Sequence, residues 1–111
     1  MRRRRGDLLP LEAEILRIAG ILAQQGQPEF YGWRMGQYLE DEGQRETGFG
    51  SLYRTLNRLQ DLGYLESEWA PPEKEGLPPR RLYQITPEGS RAYATARRTP
   101  VTGKLTPRFV L

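Results

Sequence analysis

Apolar positions step through the chain by threes and fours before they begin to alternate. Leu8, Leu11, Ile15, Leu16, Ile18, Ala19 and Leu22 form the stripe of an amphipathic helix. Pro10 suits its first turn, and Gly26 and Pro28 end it. A second helical stretch over roughly Gly32 to Glu42 places Met35, Tyr38 and Leu39 on one side, with Trp33 packing at its N-terminal end, and stops at Gly43. The clearest pattern is GFGSLYRTLNRLQDLG, where Leu52, Leu56 and Leu59 make one stripe and Gly63 supplies the C-terminal stop. Thr47 or Gly48 is the candidate cap. At 100° per residue, Arg54, Arg58 and Asp61 fall opposite the leucines, with Ser51 and Asn57 on the flanks.

After Gly63 the period shortens. Tyr64 to Trp69 reads as a short strand, APPEKEGLPP as a turn-rich connection, and Arg80 to Thr86 as a second strand with Tyr83 and Ile85 on one face. Two strands so joined make an antiparallel hairpin. The run T-P-E-G then starts a last helix, with Thr86 as N-cap, Pro87 at the first helical position and Glu88 in the electropositive first turn. That helix ends near Arg98, ahead of Pro100, Gly103 and Pro107. The expected fold class is mainly α with a small β-hairpin (α+β), in the order α-α-α-β-β-α of a winged helix-turn-helix. In that arrangement the third helix offers a polar face to the DNA major groove, and the hairpin carries basic side chains to the flanking backbone or minor groove.

The 111 residues leave room for one compact domain, so barrel and doubly wound enzyme scaffolds do not fit. We expect a flexible basic arm at 1–8, the winged domain at 9–98 and an irregular basic tail at 99–111. The chain has neither Cys nor His, which removes disulfides, thiolate and imidazole metal sites and histidine acid–base chemistry. Without a paired-carboxylate motif either, we expect no enzyme, no cofactor and no metal. The acidic run Glu40, Asp41, Glu42 points three ways around a helix and reads as a solvated face.

Charge is unevenly distributed. The net +3 conceals four arginines in residues 1–5, an excess of acids from 6 to 76, and a net +6 over 77–111. Basic ends suit a polyanionic partner. The arginine run lacks the uninterrupted apolar segment of a signal peptide or membrane span, since Glu12 and Glu14 break up the apolar residues beyond it, and the expectation is a cytoplasmic protein with no membrane partner.

Three blocks carry a family resemblance: FYGWRMGQYLED, GSLYRTLNRLQDLGYLES and PPRRLYQITPEGSRAY, which together with ILRIAGIL cover about residues 11–94. The sequence resembles the PadR family of bacterial transcriptional regulators. The resemblance implies a homodimer, usually a repressor, on a palindromic operator of double-stranded DNA, often released by a small molecule; no specific effector is expected. Carried over by position, the recognition-helix contacts are Ser51, Tyr53, Arg54 and Asn57, with Arg58 on phosphate. The wing contacts are Arg80, Arg81 and Lys74.

Two positions depart from the pattern. Leu82 and Tyr83 stand where members commonly have consecutive tyrosines, and the helix begun at Thr86 has about three turns before Pro100, where members dimerise through a longer one. Chemistry adds that the Arg54 fork matches guanine O6 and N7, while Asn57 suits adenine. Tyr53 also fits as a packing residue at the edge of the leucine stripe. Arg3 and Arg4, within the N-terminal run, are candidates for a minor-groove arm or a solubilising tail. Trp33 and Trp69 are read as core or interface residues rather than ligand-stacking platforms. The competing reading is a winged-helix protein-interaction module that regulates another protein without binding DNA, favoured by the acidic first and second helices and the short last one.

Overall fold

A computed structural model describes residues 8–42, 48–72, 74–76 and 80–98, with the side chains of residues 49, 97 and 98 left out. The elements are α1 (Pro10–Gln24), β1 (Phe30–Tyr31), α2 (Gly32–Asp41), α3 (Phe49–Asp61), β2 (Leu65–Ala70), β3 (Arg80–Ile85) and α4 (Pro87–Arg98). The strands form an antiparallel sheet in the order β1-β3-β2. Leu65 pairs with Ile85 and Ala70 with Arg80, and on the other edge of β3 Phe30 pairs with Tyr83. The hairpin foreseen from the sequence is thus present, with a third strand added. Two residues are too few to show a period, so β1 was invisible as a pattern.

The three helical stripes converge. Ile15, Leu16 and Ala19 of α1, Met35 and Leu39 of α2, and Leu56 and Leu59 of α3 are fully buried, and Phe30, Leu65 and Tyr83 close the core from the sheet. The Phe30 and Tyr83 rings stack with centroids 5.9 Å apart. Burial of this apolar surface is the main force that fixes α3 with its polar face outward.

Polar ties set the angles between elements. Glu12 is buried, and its Oε1 accepts the Leu9 backbone N–H at 3.0 Å at the start of α1. Arg17, also buried, donates to Glu14 Oε1 at 3.0 Å and Glu42 Oε1 at 2.8 Å, bridging α1 to the end of α2. Burial works to lower the Arg17 pKa, but the hydrogen bonds and charges of the two glutamates outweigh it and leave it raised. Within the acidic run Glu40, Asp41, Glu42, the last residue therefore has a structural partner.

Gly63, at φ 82°, ends α3 in the left-handed conformation, and the Gly63 and Tyr64 N–H groups return to the Gln60 and Leu59 carbonyls. Thr86 then locks the wing to that turn. Its Oγ1 donates to the Gly63 carbonyl at 2.6 Å and accepts the Gly89 N–H at 3.0 Å, so it caps α4 as the sequence suggests.

Gly89 lies against the Tyr64 carbonyl oxygen, and a Cβ there would also meet Ile85 Cγ1 at 2.9 Å. Backbone cannot yield as a flexible side chain can. Gly89→Ala is therefore expected to destabilise the fold by about 1–3 kcal/mol, the usual cost of overpacking. A urea melt in which the variant matches the parent chain would contradict this close packing of α4 on the turn.

Candidate nucleic-acid interface

Three elements meet on one side of the molecule: the start of α2, the outer face of α3 and the wing. On α3, burying Leu52, Leu56 and Leu59 leaves Ser51, Tyr53, Arg54, Asn57 and Arg58 exposed. Gly48 occupies the N-cap position; it has no side chain, and there is no side-chain cap hydrogen bond. Arg54 Nη2 sits 3.5 Å from Ser51 Oγ, one turn earlier, a long contact that leaves the guanidinium on the surface. Arg58 lies 4.0 Å from the buried Glu12 carboxylate of α1, which inclines it toward α1 while more than half of its side chain remains in solvent.

Tyr53 has a divided environment. It is 36% exposed, and its ring rests on Gly32 at the start of α2, where a Cβ would stand 2.6 Å from Tyr53 Cε1. Gly32 therefore permits the contact, and the ring joins α3 to α2 without entering the core.

In the wing, Arg81 is held from two directions. Its Nη1 donates to Ser67 Oγ at 2.7 Å and reaches Gln60 Oε1 at 3.5 Å, while the guanidinium lies 4.6 Å from the centre of the Trp69 ring. Ser67 Oγ itself donates to Gln60 Oε1 at 2.8 Å. This network couples β2 and β3 to the last turn of α3, so the wing and helix share one rigid base. Arg80 lies over the Tyr31 and Trp33 rings, at 5.7 and 5.9 Å. Lys74 is exposed in the turn at the wing tip. Arg3 and Arg4 lie outside the described residues.

Of the two readings given for the tryptophans, core or interface, the structure excludes core for Trp69. Trp69 is 64% exposed rather than core, and Trp33 is 36% exposed, stacked on Tyr31 at 6.2 Å and 11° from parallel. Trp69 shares strand parity with buried Leu65, but β2 runs out past the helices into the wing, where none of the described elements covers it. Gln60, Tyr31 and Trp33 are members of this surface that the sequence did not assign to it. The spacing Tyr31-Gly32-Trp33 ahead of Tyr53 was the available signal. Beneath the surface, burial pushes the Tyr83 hydroxyl above its ordinary pKa, with the charge of Arg81 opposing and Tyr53 adding to the rise.

Among the described residues no helix is long and apolar enough to cross a membrane, and no group of acidic, His or Cys side chains could hold a metal ion. A polar third helix, seated by a leucine stripe and coupled to a basic two-stranded wing, defines a winged helix-turn-helix domain.

Comparison with known proteins narrows the class. The profile of the transcriptional regulator PadR-like family matches residues 21–95. A PadR-like transcription factor from Bacteroides fragilis is 25% identical, with a TM-score of 0.64 over 78% of this chain and 76% of its own. The circadian clock associated protein Pex from Anabaena is 33% identical, with a TM-score of 0.56 over 80% of this chain and 76% of its own. Bacillus subtilis PadR, crystallised in complex with operator DNA, has the same fold at 18% identity, with a TM-score of 0.67; the match covers 90% of this chain and 54% of that one. A search of curated protein sequences returns no match. The chain belongs to the PadR-like family of transcriptional regulators, a family of regulators rather than enzymes.

Proposed function

We propose that this chain is a sequence-specific double-stranded DNA-binding regulator, acting as a repressor, that reads the major groove with α3 and grips the flanking backbone or minor groove with the wing. The observation that carries the reading is the surface shared by helix and wing: Ser51, Arg54 and Asn57 project from the face of α3 opposite its buried leucines, and Arg80 and Arg81 stand beside them on a wing braced to that helix. Operator DNA bound to the Bacillus subtilis relative supports it. Arg54 and Asn57 have base-reading chemistry, and Ser51 and the Tyr53 hydroxyl suit phosphate oxygens. Arg58, inclined toward Glu12, and Lys74, at the wing tip, are assigned to phosphates, and Arg3 and Arg4 to a minor-groove arm.

A homodimer on a palindromic site completes the reading, with half-sites about one helical turn apart. The reading puts the second copy at the groove between α1 and α4, of about 420 Å³, where the half-buried Ile21, Ile85 and Tyr93 leave apolar area open.

Wing and helix are expected to fail differently. Arg80→Ala should weaken binding to all duplexes alike and lower the slope of log affinity against log salt by about one unit, as loss of one phosphate contact requires. Fluorescence anisotropy at several salt concentrations checks this. A variant with the parent slope would remove Arg80 from the backbone contact.

A further inference from the structure

The surface between α2, α3 and the wing is concave as well as basic. It encloses a cleft of about 450 Å³, within the range of roughly 300–1,000 Å³ common for small-molecule sites. Duplex recognition does not call for such a cleft. Helix side chains reading base edges and arginines on phosphates are projecting groups, whereas an aromatic wall takes the face of a ring, and in a duplex those faces are covered by neighbouring bases.

Aromatic walls are what this cleft has. The parallel Tyr31 and Trp33 rings line it, and so does Trp69, the most exposed large hydrophobic side chain among the described residues. Each wall carries a guanidinium, Arg80 over Tyr31 and Trp33, and Arg81 over Trp69. Arg81 is already oriented by Ser67 and Gln60, so little side-chain freedom is lost when it meets an anion. No carboxylate lines the cleft among the described residues. The remaining polar lining includes Asn57, whose amide can both donate to and accept from the edge of an adenine.

A flat face, a hydrogen-bonding edge and an anion are thus each provided for. An inorganic anion would leave the rings unused, and an uncharged aromatic would leave two guanidiniums facing it. We propose that the cleft binds a mononucleotide, its base stacked on the tryptophan walls with its edge at Asn57 and its phosphate at Arg81 and Arg80. Because the same arginines and Asn57 are assigned to duplex contacts, bound nucleotide excludes the duplex; this second half rests on the DNA-binding reading, and the first does not.

Both tryptophans of the chain line the cleft, so intrinsic fluorescence reports on it directly. Titrating the full chain with AMP should give saturable quenching. Adenosine, without the phosphate, and ribose 5-phosphate, without the base, should each bind about tenfold or more weaker. Trp69→Ala, at a site exposed enough to leave folding intact, should weaken AMP about tenfold, in keeping with the worth of one stacking partner, and Trp69→Phe should restore most of it. Quenching that stays linear into millimolar AMP, ribose 5-phosphate binding as well as AMP, or parent affinity in Trp69→Ala would each overturn the site. Anisotropy with a labelled duplex then tests exclusion, where unchanged duplex affinity at saturating AMP would refute it. A chain that binds AMP but no duplex would keep the site and overturn the DNA reading; one that binds duplex but no AMP does the reverse.

Discussion

Truncating Leu56 to alanine is expected to lower the unfolding free energy by about 2–5 kcal/mol, the largest effect expected of any single substitution named for this chain. Leu56 is fully buried at the centre of the α3 stripe, between Leu52 and Leu59 and among the side chains of α1 and α2. The loss combines the transfer of buried methyl groups with the cavity left behind, which helices fixed by the Arg17 bridge and the Thr86 lock collapse only partly to fill. Small domains have total stabilities of about 5–15 kcal/mol, so a sizeable share would go. Urea denaturation followed by circular dichroism measures it. A shift under about 1 kcal/mol, below the usual range for a buried leucine, would mean that α3 is not seated by its leucines, and the outward orientation of its polar face would lose its physical basis.

The second large effect concerns recognition. Arg54→Ala should weaken binding to the preferred duplex by about 1–3 kcal/mol and flatten the preference among sequences, because a bidentate fork on guanine is lost while the backbone contacts remain. Its position explains why it is chosen over Arg58: Arg54 sits one turn from the start of α3 with Ser51 beside it, whereas Arg58 is drawn toward Glu12. Competition binding between the preferred duplex and a scrambled one gives the measurement. Equal loss on both would reassign Arg54 to phosphate.

The helices, the hairpin and the caps were legible in the sequence because each is specified locally. Three leucines at helical spacing predicted the buried stripe of α3, and T-P-E-G predicted a cap that Thr86 makes through its own hydroxyl. What was not legible depends on residues distant in sequence. Phe30 is a strand residue only because Tyr83 stands opposite it. The brace of Gln60, Ser67 and Arg81 joins three elements, none of whose local patterns mentions the others. The exclusion of Trp69 from the core was not legible because alternation along β2 fixes parity but not where the core ends. The face of α3 was therefore read correctly as a surface, while the aromatic cleft beside it required the fold.

The claim that this chain reads duplex DNA through α3 and the wing is tested most directly by selecting binding sites from a randomised duplex pool with the full protein, then measuring affinity for the enriched sequence against salt. The account predicts enrichment of a palindrome with half-sites about one helical turn apart, bound with an affinity that falls steeply as salt rises. A pool that remains random after selection, with no salt-dependent affinity for any duplex, would contradict it.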